Sequence, residues 1–302
     1  MNILTLIPVL FPMIAGGILP LLPFRDNRKI RQYYVGSVVI VNALIVFLII
    51  SLGNLELSAL NITDTIYLKL KVDDLSRFFM VLASLLWVLA TFYTFEYIKH
   101  EGKDVRFFTF FLMTLGVIIG IGMAGNFFSL YLFYELMTLI TYPLVIHSET
   151  PEAIKAGSKY LMYSFVGANL ALVGFIFVSY FGSLEFIPGG SLDLAMVASN
   201  PSFRPILIAV FFMTFIGFGC KAGMWPLFAW LPTAHPVAPA PASALLSGVI
   251  TKAGVMAIIR VTYYVFGLHF FLGTLPPTAL ICLTLFPVFM GPMLAFMDML
   301  LT

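Results

Sequence analysis

Residues 206–231 read ILIAVFFMTFIGFGCKAGMWPLFAWL, and the run contains a single charged side chain, Lys221. A transmembrane helix needs about 20 consecutive apolar residues, so this stretch is long enough to cross a bilayer. Gly223 and Pro226 follow the lysine directly. Pro226 has no N–H to donate to the carbonyl of Ala222. The stretch therefore predicts a membrane helix that is interrupted next to a buried charge.

The composition of the whole chain also excludes a soluble globular enzyme. Of its 302 residues, 61% are hydrophobic and only 10% are Asp, Glu, Lys or Arg, whereas soluble domains carry roughly 25% charged residues. High hydrophobicity excludes a disordered chain as well. The net charge of +2 gives no indication of nucleic-acid binding. Cys220 and Cys282 lie far apart in apolar segments, and we predict no disulfide, no metal site and no cofactor site in this chain.

The apolar runs predict an all-α polytopic membrane bundle of about nine transmembrane helices with a broken helix 7. The runs are 3–23, 33–53, 78–98, 106–124, 127–147, 157–182, 206–231, 240–265 and 274–300. No basic residue precedes the first run, so it is interpreted as a retained helix and not as a cleaved signal peptide. We predict an N-terminal three-helix region (1–105), a five-helix unit (106–265, helices 4–8) and the start of an incomplete second unit (266–302, helix 9).

The distribution of basic residues predicts that the N-terminus lies outside the cell membrane. With that orientation, the inner loops hold nine basic residues: Arg25, Arg28, Lys29, Arg31, Lys99, Lys103, Arg106, Lys155 and Lys159. The outer loops and helix ends hold five: Lys69, Lys71, Arg77, Arg204 and Arg260. Because cytoplasmic loops carry an excess of Lys and Arg, we predict a multi-pass protein of the inner membrane of a prokaryote.

Three charged side chains lie inside apolar runs: Glu135, Lys221 and Lys252. A charge at the centre of a membrane helix costs roughly 2.5–3.5 kcal/mol on insertion scales, and such residues usually face the bundle interior or an ion path. The alternative is an ion pair that only locks helices together. Three such charges in neighbouring runs favour the ion path, and both interpretations remain open at this point.

The two lysines are predicted to lie at a similar depth. Lys221 lies 15 residues before Pro236, and Lys252 lies 16 residues after it. At a rise of about 1.5 Å per residue, helices 7 and 8 bring both positions to one level. Burial and a neighbouring positive charge both disfavour the charged form of a lysine. One of the two is therefore expected to release a proton near neutral pH, which an arginine would not do.

Hydroxyl groups recur at helical spacing near these charges. Helix 5 carries Tyr131, Tyr134, Thr138, Thr141 and Tyr142 on the face of Glu135, and helix 8 carries Ser243, Ser247 and Thr251 beside Lys252. Such hydroxyls either bond back to carbonyls of their own helix or form a hydrated file that links Glu135, Lys159, Lys221 and Lys252. His147 and His235 are either satisfied polar residues or proton relays. Gly116, Gly120 and Gly122 predict close helix packing.

Longer motifs carry a family resemblance. Phe133-Tyr-Glu135-Leu-Met-Thr, Ala156-Gly-Ser-Lys159-Tyr, and the segment from Lys221 to Gly248 with Lys252 resemble the antiporter-like proton-translocating subunits. That family includes the large membrane subunits of respiratory complex I, subunits of multi-subunit sodium/proton antiporters and membrane-bound hydrogenase subunits. The resemblance covers residues 70–300 approximately. It implies that Glu135 pairs electrostatically with Lys221, the central proton-binding lysine, while Lys252 continues a polar axis and Lys159 lies between them.

The resemblance implies a proton- or sodium-translocating subunit of a redox-driven or cation-coupled respiratory complex, with His235 as a further relay. No redox chemistry is expected in this chain. Its partners are expected to be further antiporter-like membrane subunits and subunits that carry iron–sulfur clusters. The alternative is a non-conducting structural subunit that bridges antiporter-like subunits of the same complex. A third hypothesis, an independent transporter of a small organic ion, is disfavoured by the motif from Lys221 to Gly248.

Members of this family are built from two inverted five-helix repeats, and the second repeat has its own broken helix. We therefore expect this chain to contain the first repeat only. The second repeat is expected to be a separate subunit or to be absent, in which case the chain would have mainly a coupling role.

Overall fold

The computed structural model describes residues 3–63, 65–225 and 227–271. Within these ranges, eight helical segments are long and apolar enough to cross a membrane, which confirms the predicted all-α polytopic bundle. The eight segments are Ile3–Leu21, Arg28–Ser51, Asp74–Tyr97, Asp104–Gly122, Phe127–Val145, Pro151–Phe181, Phe203–Ala222 and Ala240–Phe266. The ninth predicted run, 274–300, lies outside the described residues, as does Cys282.

In chain order, the elements are α1 (Ile7–Ile18), α2 (Arg28–Ser51), β1 (Glu56–Ala59), β2 (Leu68–Lys71), α3 (Asp74–Tyr97), α4 (Asp104–Gly122), α5 (Phe127–Val145), α6 (Pro151–Phe181), α7 (Leu194–Ser199), α8 (Phe203–Ala222), α9 (Leu231–Ala234), α10 (Ala240–Leu245), α11 (Thr251–Arg260) and α12 (Leu268–Phe271). Short 3₁₀ turns flank α1. Two π-helical stretches, Leu246–Ile250 and Val261–Phe266, lie within the eighth span.

Polar residues fix where four of the spans begin. Each accepts a hydrogen bond from a backbone N–H three residues further on, which stabilises a helix end by about 0.5–2 kcal/mol. These N-caps are Asn27 for α2, Asp73 for α3, Asn126 for α5 and Thr150 for α6. Because a capped first turn can be polar, α2, α3 and α6 begin several residues before the apolar runs that predicted them.

Helix α4 is the most enclosed of the spans, and glycines let its neighbours approach it closely. A Cβ atom at Gly116 would lie 2.2 Å from the carbonyl oxygen of Val9 in α1. A Cβ atom at Gly120 would lie 2.6 Å from the ring of Phe133 in α5. Membrane helices associate through such close packing, since lipid gives no hydrophobic force between them. The predicted packing role of these glycines is confirmed.

The contact between α6 and α8 follows the same principle. A Cβ atom at Gly217 of α8 would lie 2.5 Å from the carbonyl oxygen of Gly167 in α6. Two turns further along α6, Gly174 packs directly against the side chain of Thr214 in α8. The two backbones therefore run nearly in contact, and this fixes the position of the last turn of α8.

A small antiparallel hairpin, β1–β2, closes one end of the bundle. The Gly125 N–H donates to the Lys69 carbonyl (2.8 Å), which docks the hairpin on the turn between α4 and α5. The Lys69 ammonium group lies 3.1 Å from the carboxylate of Glu56 and 2.7 Å from that of Glu185. Burial acts to lower the pKa of Lys69, but the two carboxylates outweigh it and the pKa is raised.

At the opposite end of the bundle, His147 joins α5 to α6 and is 1% exposed. Its Nε2 lies 3.1 Å from the carbonyl oxygen of Gly102. Because a carbonyl only accepts, Nε2 carries the hydrogen, while Nδ1 has no hydrogen-bond partner among the described residues. Burial lowers the pKa of His147; the Gly102 carbonyl acts against this effect and Arg106 adds to it. The arrangement fits a buried neutral histidine at a helix junction.

Replacing Gly116 by Ala is expected to destabilise the bundle by roughly 1–3 kcal/mol, because the added methyl group must push α1 away from α4. The measurement is thermal unfolding of the purified protein in detergent. The matched control is Gly17→Ala in α1, where no atom lies within 4 Å of the new Cβ. That variant should be neutral or slightly stabilised, since Ala favours a helix over Gly by roughly 0.5–1 kcal/mol. Equal midpoints for Gly116→Ala and wild type would contradict the close contact.

Lowering the pH is expected to weaken the junction at His147. An unfolded histidine titrates near pH 6.5, and the folded pKa is lower. Between these two values the unfolded chain binds a proton that the folded chain does not. Stability is therefore unaffected above about pH 6.5 and falls as the pH drops through the folded pKa.

The measurement is the unfolding midpoint between pH 8 and pH 5, for wild type and for His147→Gln. The amide of the variant can donate the same hydrogen bond to Gly102 but does not titrate. The variant should lose the acid-dependent part of the curve. Superimposable pH profiles of the two proteins would show that His147 is not the titrating group.

Candidate functional site

Helix α8 ends in the bundle interior because Gly223 adopts a left-handed conformation (φ 76°, ψ 30°). The N–H of Gly223 donates to the Cys220 carbonyl (3.3 Å), and the N–H of Met224 donates to the Gly219 carbonyl (2.9 Å). This is the Schellman arrangement, which ends a helix by turning the chain back on its last carbonyls. The backbone nitrogen of Ala222 faces Gly254, in the interior of the eighth span.

The predicted break in helix 7 is thereby confirmed, and the run 206–231 contains two pieces, α8 and the start of α9. The sequence attributed the break to Pro226, which lies outside the described residues. Among the described residues, Gly223 explains the break, because its left-handed conformation ends the helix. The position also leaves little room for a side chain, since a Cβ atom there would lie 2.4 Å from the Leu231 side chain.

The segment that follows the break returns to cover the end of α8. Trp230 is fully buried, and its indole N–H donates to the carbonyl of Cys220 (2.9 Å). Its ring packs on the ring of Tyr160 in α6, with centroids 5.0 Å apart. One side chain therefore satisfies a freed carbonyl of α8 and holds the neighbouring tyrosine in place.

Lys221 occupies the last turn of α8 and is 0% exposed. Its ammonium group donates hydrogen bonds to the hydroxyl groups of Thr138 in α5 and Tyr160 in α6, the latter at 3.3 Å. The same group lies 5.0 Å from the ring centroid of Tyr134 and 5.4 Å from that of Tyr160, within cation–π range. Within the described chain, no carboxylate lies within 4 Å of Lys221. Neutral oxygens and aromatic rings hold this charge.

The direction of the hydrogen bonds follows from their partners. Thr141 donates to the carbonyl of Met137 (2.7 Å), so its oxygen accepts from the Tyr160 hydroxyl, also at 2.7 Å. Tyr160 then has lone pairs free to accept from Lys221. The two interpretations of the hydroxyl stripe on α5 are thus compatible: its threonines bond back to their own helix and also take part in the network around Lys221.

Glu135 and Lys159, two predicted site residues, lie beside this network. Glu135 is half-buried and lies one turn before Thr138 on α5, and it forms no ion pair within 4 Å with any described residue. Lys159 is also half-buried, and the described chain offers it no hydrogen bond or ion pair. The residue of α6 that contacts Lys221 is Tyr160. The structure therefore brings Lys221 together with Thr138 and Tyr160, and not with Lys159.

The importance of Tyr160 was missed from the sequence, although a signal was present. Buried small residues mark the face of α6 that packs against its neighbours. Ala156, Gly157, Ser164, Gly167, Ala171 and Gly174 belong to this face. Tyr160 lies on it by helical spacing, whereas Lys159 is turned about 100° away.

Lys252 lies near the end of α8, but its side chain faces away from the bundle. Gly254, two residues later, packs against the backbone of Ala222, whereas the Lys252 side chain is exposed. Its ammonium group donates to the carbonyl of Ser247 (2.6 Å), at the π-helical stretch Leu246–Ile250. Such π-bulges are frequent at functional sites.

His235 joins this outer group and is half-buried. Its Nδ1 lies 2.6 Å from the hydroxyl oxygen of Ser243, one turn before Ser247 on the eighth span. The predicted residues thus form an inner group around Lys221 and an outer group of Lys252 and His235. No hydrogen bond joins the two groups in the part of the chain that the structure describes.

The inner group can hold a lysine in either protonation state. A protonated ammonium group has three N–H donors, and two of them are used by Thr138 and Tyr160. After loss of one proton, two N–H groups remain, so both hydrogen bonds persist. The arrangement can therefore bind and release a proton without rearranging its nearest contacts. Among the described residues, no group of three or more His, Cys, Asp or Glu side chains is placed to hold a metal ion.

Known proteins with similar sequences are membrane proteins of multi-part complexes. The chain is 35% identical over 196 residues to hydrogenase-4 component B of Escherichia coli, a match that covers 64% of this chain and 28% of that protein. It is 26% identical over 271 residues to a subunit of the Na(+)/H(+) antiporter of Alkalihalophilus pseudofirmus, covering 88% of this chain and 54% of that protein. The chain thus spans about half the length, or less, of these curated relatives.

Solved structures share the fold. A chain of the membrane-bound sulfane sulfur reductase, an archaeal respiratory membrane complex, superimposes with a TM-score of 0.69 at 22% identity, over 85% of this chain and 52% of that chain. A chain of the Mrp complex from Dietzia sp. DQ12-45-1b gives a TM-score of 0.69 at 18% identity, over 84% of this chain and 27% of that chain.

The family resemblance is confirmed by a match over residues 124–299 to the family described as NADH:quinone oxidoreductase/Mrp antiporter, transmembrane. The matched region contains Glu135, Lys221 and the broken helix, together with Lys252 and His235. Since it extends over more than half of the sequence, the chain belongs to the NADH:quinone oxidoreductase/Mrp antiporter transmembrane family.

Proposed function

We propose that this chain translocates protons, or sodium ions in exchange for protons, as one subunit of an energy-converting membrane complex. The observation that carries the proposal is Lys221, a fully buried lysine whose two hydrogen-bond acceptors are neutral hydroxyl groups. Lysines in membrane interiors are expensive and usually functional. A lysine can release its proton, and the contacts of Lys221 allow both protonation states.

Glu135 would control the charge of Lys221. In this structure the two groups are not in ion-pair contact, and the nearest contacts of the ammonium group are hydroxyl groups and aromatic rings. Movement of the Glu135 carboxylate toward Lys221 would favour the protonated lysine, because an opposite charge within a few ångströms stabilises the charged form. Separation would then release the proton. The switch requires only a small shift of α5 relative to α8, or a change in the rotamer of Glu135.

Lys252 and His235 would continue the path. Both belong to the eighth span or the segment before it, and Lys252 is exposed on the surface of this chain. A proton that leaves Lys221 would therefore pass to the outer group and on to a neighbouring element. Lys159 would supply a further positive charge beside the inner group. We propose residues 106–265, helices α4 to α11, as the unit that holds this path.

The assembly and its orientation are part of the proposal. The relatives include a "component" of a hydrogenase and a "subunit" of an antiporter, which supports partners that are further membrane subunits. Iron–sulfur clusters on such partners would supply redox energy in a redox-driven complex. The excess of basic residues in the loops at the His147 end supports placing that end in the cytoplasm of a prokaryote and the N-terminus outside.

A non-conducting role remains the second candidate. Its support is the exposed Lys252, which could bind a carboxylate of a neighbouring antiporter-like subunit, together with the enclosed position of Lys221. In that case the charges of this chain would hold an assembly together, and their loss would change assembly and leave transport per assembled complex unchanged.

Substitution of Lys221 by Ala is expected to abolish ion transport by the native complex, because no group remains to carry the proton. Lys221→Arg should fail as well, since arginine stays charged, and Glu135→Gln should slow transport severely. The measurement is proton movement in vesicles that contain the purified complex, followed with a pH-sensitive dye and driven by the redox reaction of the complex or by a sodium gradient.

The matched control is Lys155→Ala, which removes an exposed lysine at the start of α6 and should leave transport unchanged. Assembly is checked by size-exclusion chromatography of each variant. If Lys221→Ala and Glu135→Gln assemble and transport at the wild-type rate, the conducting role is wrong and the structural role stands.

Tyr160→Phe tests whether the inner group acts as a network. The variant keeps the ring beside Lys221 but removes the hydroxyl that accepts from it and donates to Thr141. A hydrogen bond to a charged group contributes roughly 1.5–3 kcal/mol, so we expect transport to fall about tenfold or more. Tyr163→Phe, on the same helix, is the control, because its hydroxyl does not contact Lys221. Equal rates for Tyr160→Phe and wild type would remove Tyr160 from the path.

A further inference from the structure

A groove of about 570 Å³ runs between α2 and α3, at the end of the bundle where α2 begins. On the α2 side it is lined by Lys29, Gln32, Tyr33, Gly36, Ser37 and Ile40. Positions 29, 32–33, 36–37 and 40 recur once per helical turn, so they form one face of the helix. On the α3 side, the rings of Phe92 and Phe95 form the wall.

The groove changes character along its length. Lys29, Gln32 and Tyr33 lie in the first two turns of α2, and the residues beyond them are apolar except Ser37. The Ser37 hydroxyl donates back to the carbonyl of Tyr34 in its own helix (2.8 Å). Ile40 lies eleven positions after Lys29, which is ~16 Å along a helix. The hydrocarbon core of a bilayer is about 30 Å thick, so the groove covers the depth of one leaflet. Its polar end then lies at the level of the lipid headgroups.

Unpaired positive charge marks that polar end. Three acidic residues lie near it, and each already has a basic partner: Asp26 with Arg25, Asp104 with Arg31, and Glu96 with Lys99. Lys29 has no ion pair or hydrogen bond within the described chain, and its side chain is exposed. The neighbouring Arg28 does not line the groove. The positive charge of Lys29 at the head of the groove is therefore available to an anion.

We propose that this groove binds an anionic phospholipid. The phosphate group lies at Lys29, whose ammonium group donates a charge-assisted hydrogen bond to it. Tyr33, which is 79% exposed, borders the headgroup region. One acyl chain runs along Gly36 and Ile40 against the two phenylalanine rings. Basic pockets between transmembrane helices bind anionic headgroups for this physical reason.

Gly36 gives the groove its depth. A Cβ atom there would lie 3.5 Å from the Phe95 ring, an ordinary contact, so the position tolerates a side chain without distortion. A leucine at Gly36 would fill the space of the acyl chain and leave all charges in place. The headgroup and the acyl chain can therefore be tested separately.

The test uses the native complex in detergent, with spin-labelled phosphatidylglycerol and spin-labelled phosphatidylcholine as probes. The motionally restricted fraction of each lipid is measured by electron spin resonance. Wild type is expected to retain phosphatidylglycerol several-fold more than phosphatidylcholine, with the preference falling at high salt. Lys29→Gln should reduce that preference. Lys155→Gln, an exposed lysine at the same end of the bundle, should keep it.

Gly36→Leu should reduce the restricted fraction of both lipids, and Gly17→Leu, which points into open space, should reduce neither. Equal retention of both lipids by wild type, or the same preference in Lys29→Gln and Lys155→Gln, would overturn the proposal and indicate that a neighbouring subunit covers the groove. The lipid site does not depend on proton transport, because none of its residues belongs to the path through Lys221.

Discussion

A left-handed residue, Gly223, ends α8 inside the bundle, and the position of Lys221 depends on this constraint. If α8 continued, the lysine would be one residue of an uninterrupted membrane helix. Because the helix ends one residue later, its last carbonyls need partners within the membrane. The chain supplies them from Met224 and Trp230. Trp230 also packs on Tyr160. The same side chain therefore hydrogen-bonds a carbonyl at the end of α8 and positions a residue that contacts Lys221.

The close contacts between helices follow from the same need. Lys221 reaches Thr138 of α5 and Tyr160 of α6 only if α8 approaches both helices closely. Gly167 and Gly217 allow this on the α6 side. On the other side, Gly254 brings the eighth span against the end of α8. Small residues at these crossings are thus part of the site, although none of them contacts the lysine.

The sequence predicted the features that depend on one helix alone. Long apolar runs are sufficient to identify the spans, and Gly223 with Pro226 after the lysine predicted the break, although the break was attributed to Pro226. The sequence did not predict which residue of α6 contacts Lys221. Lys159 and Tyr160 are adjacent, and only the packing of α6 decides which of them faces α8. For the same reason, the outward direction of Lys252 and the separation of His235 from the inner group were not predictable. The hairpin β1–β2 depends on contacts with the turn between α4 and α5, which are far away in sequence.

The proposed transport role requires Lys221 to change its charge, and its neutral partners suit such a change. A permanent carboxylate at 4 Å would contribute about 4 kcal/mol at an effective dielectric constant of 20, and about half of that at 8 Å. The difference of about 2 kcal/mol exceeds a tenfold change in proton affinity. Glu135 lies one turn from Thr138, the hydroxyl that accepts from Lys221, and is not in ion-pair contact with it. In the proposed mechanism, a movement of a few ångströms at Glu135 changes the proton occupancy of Lys221, while Thr138 and Tyr160 hold the amine in both protonation states.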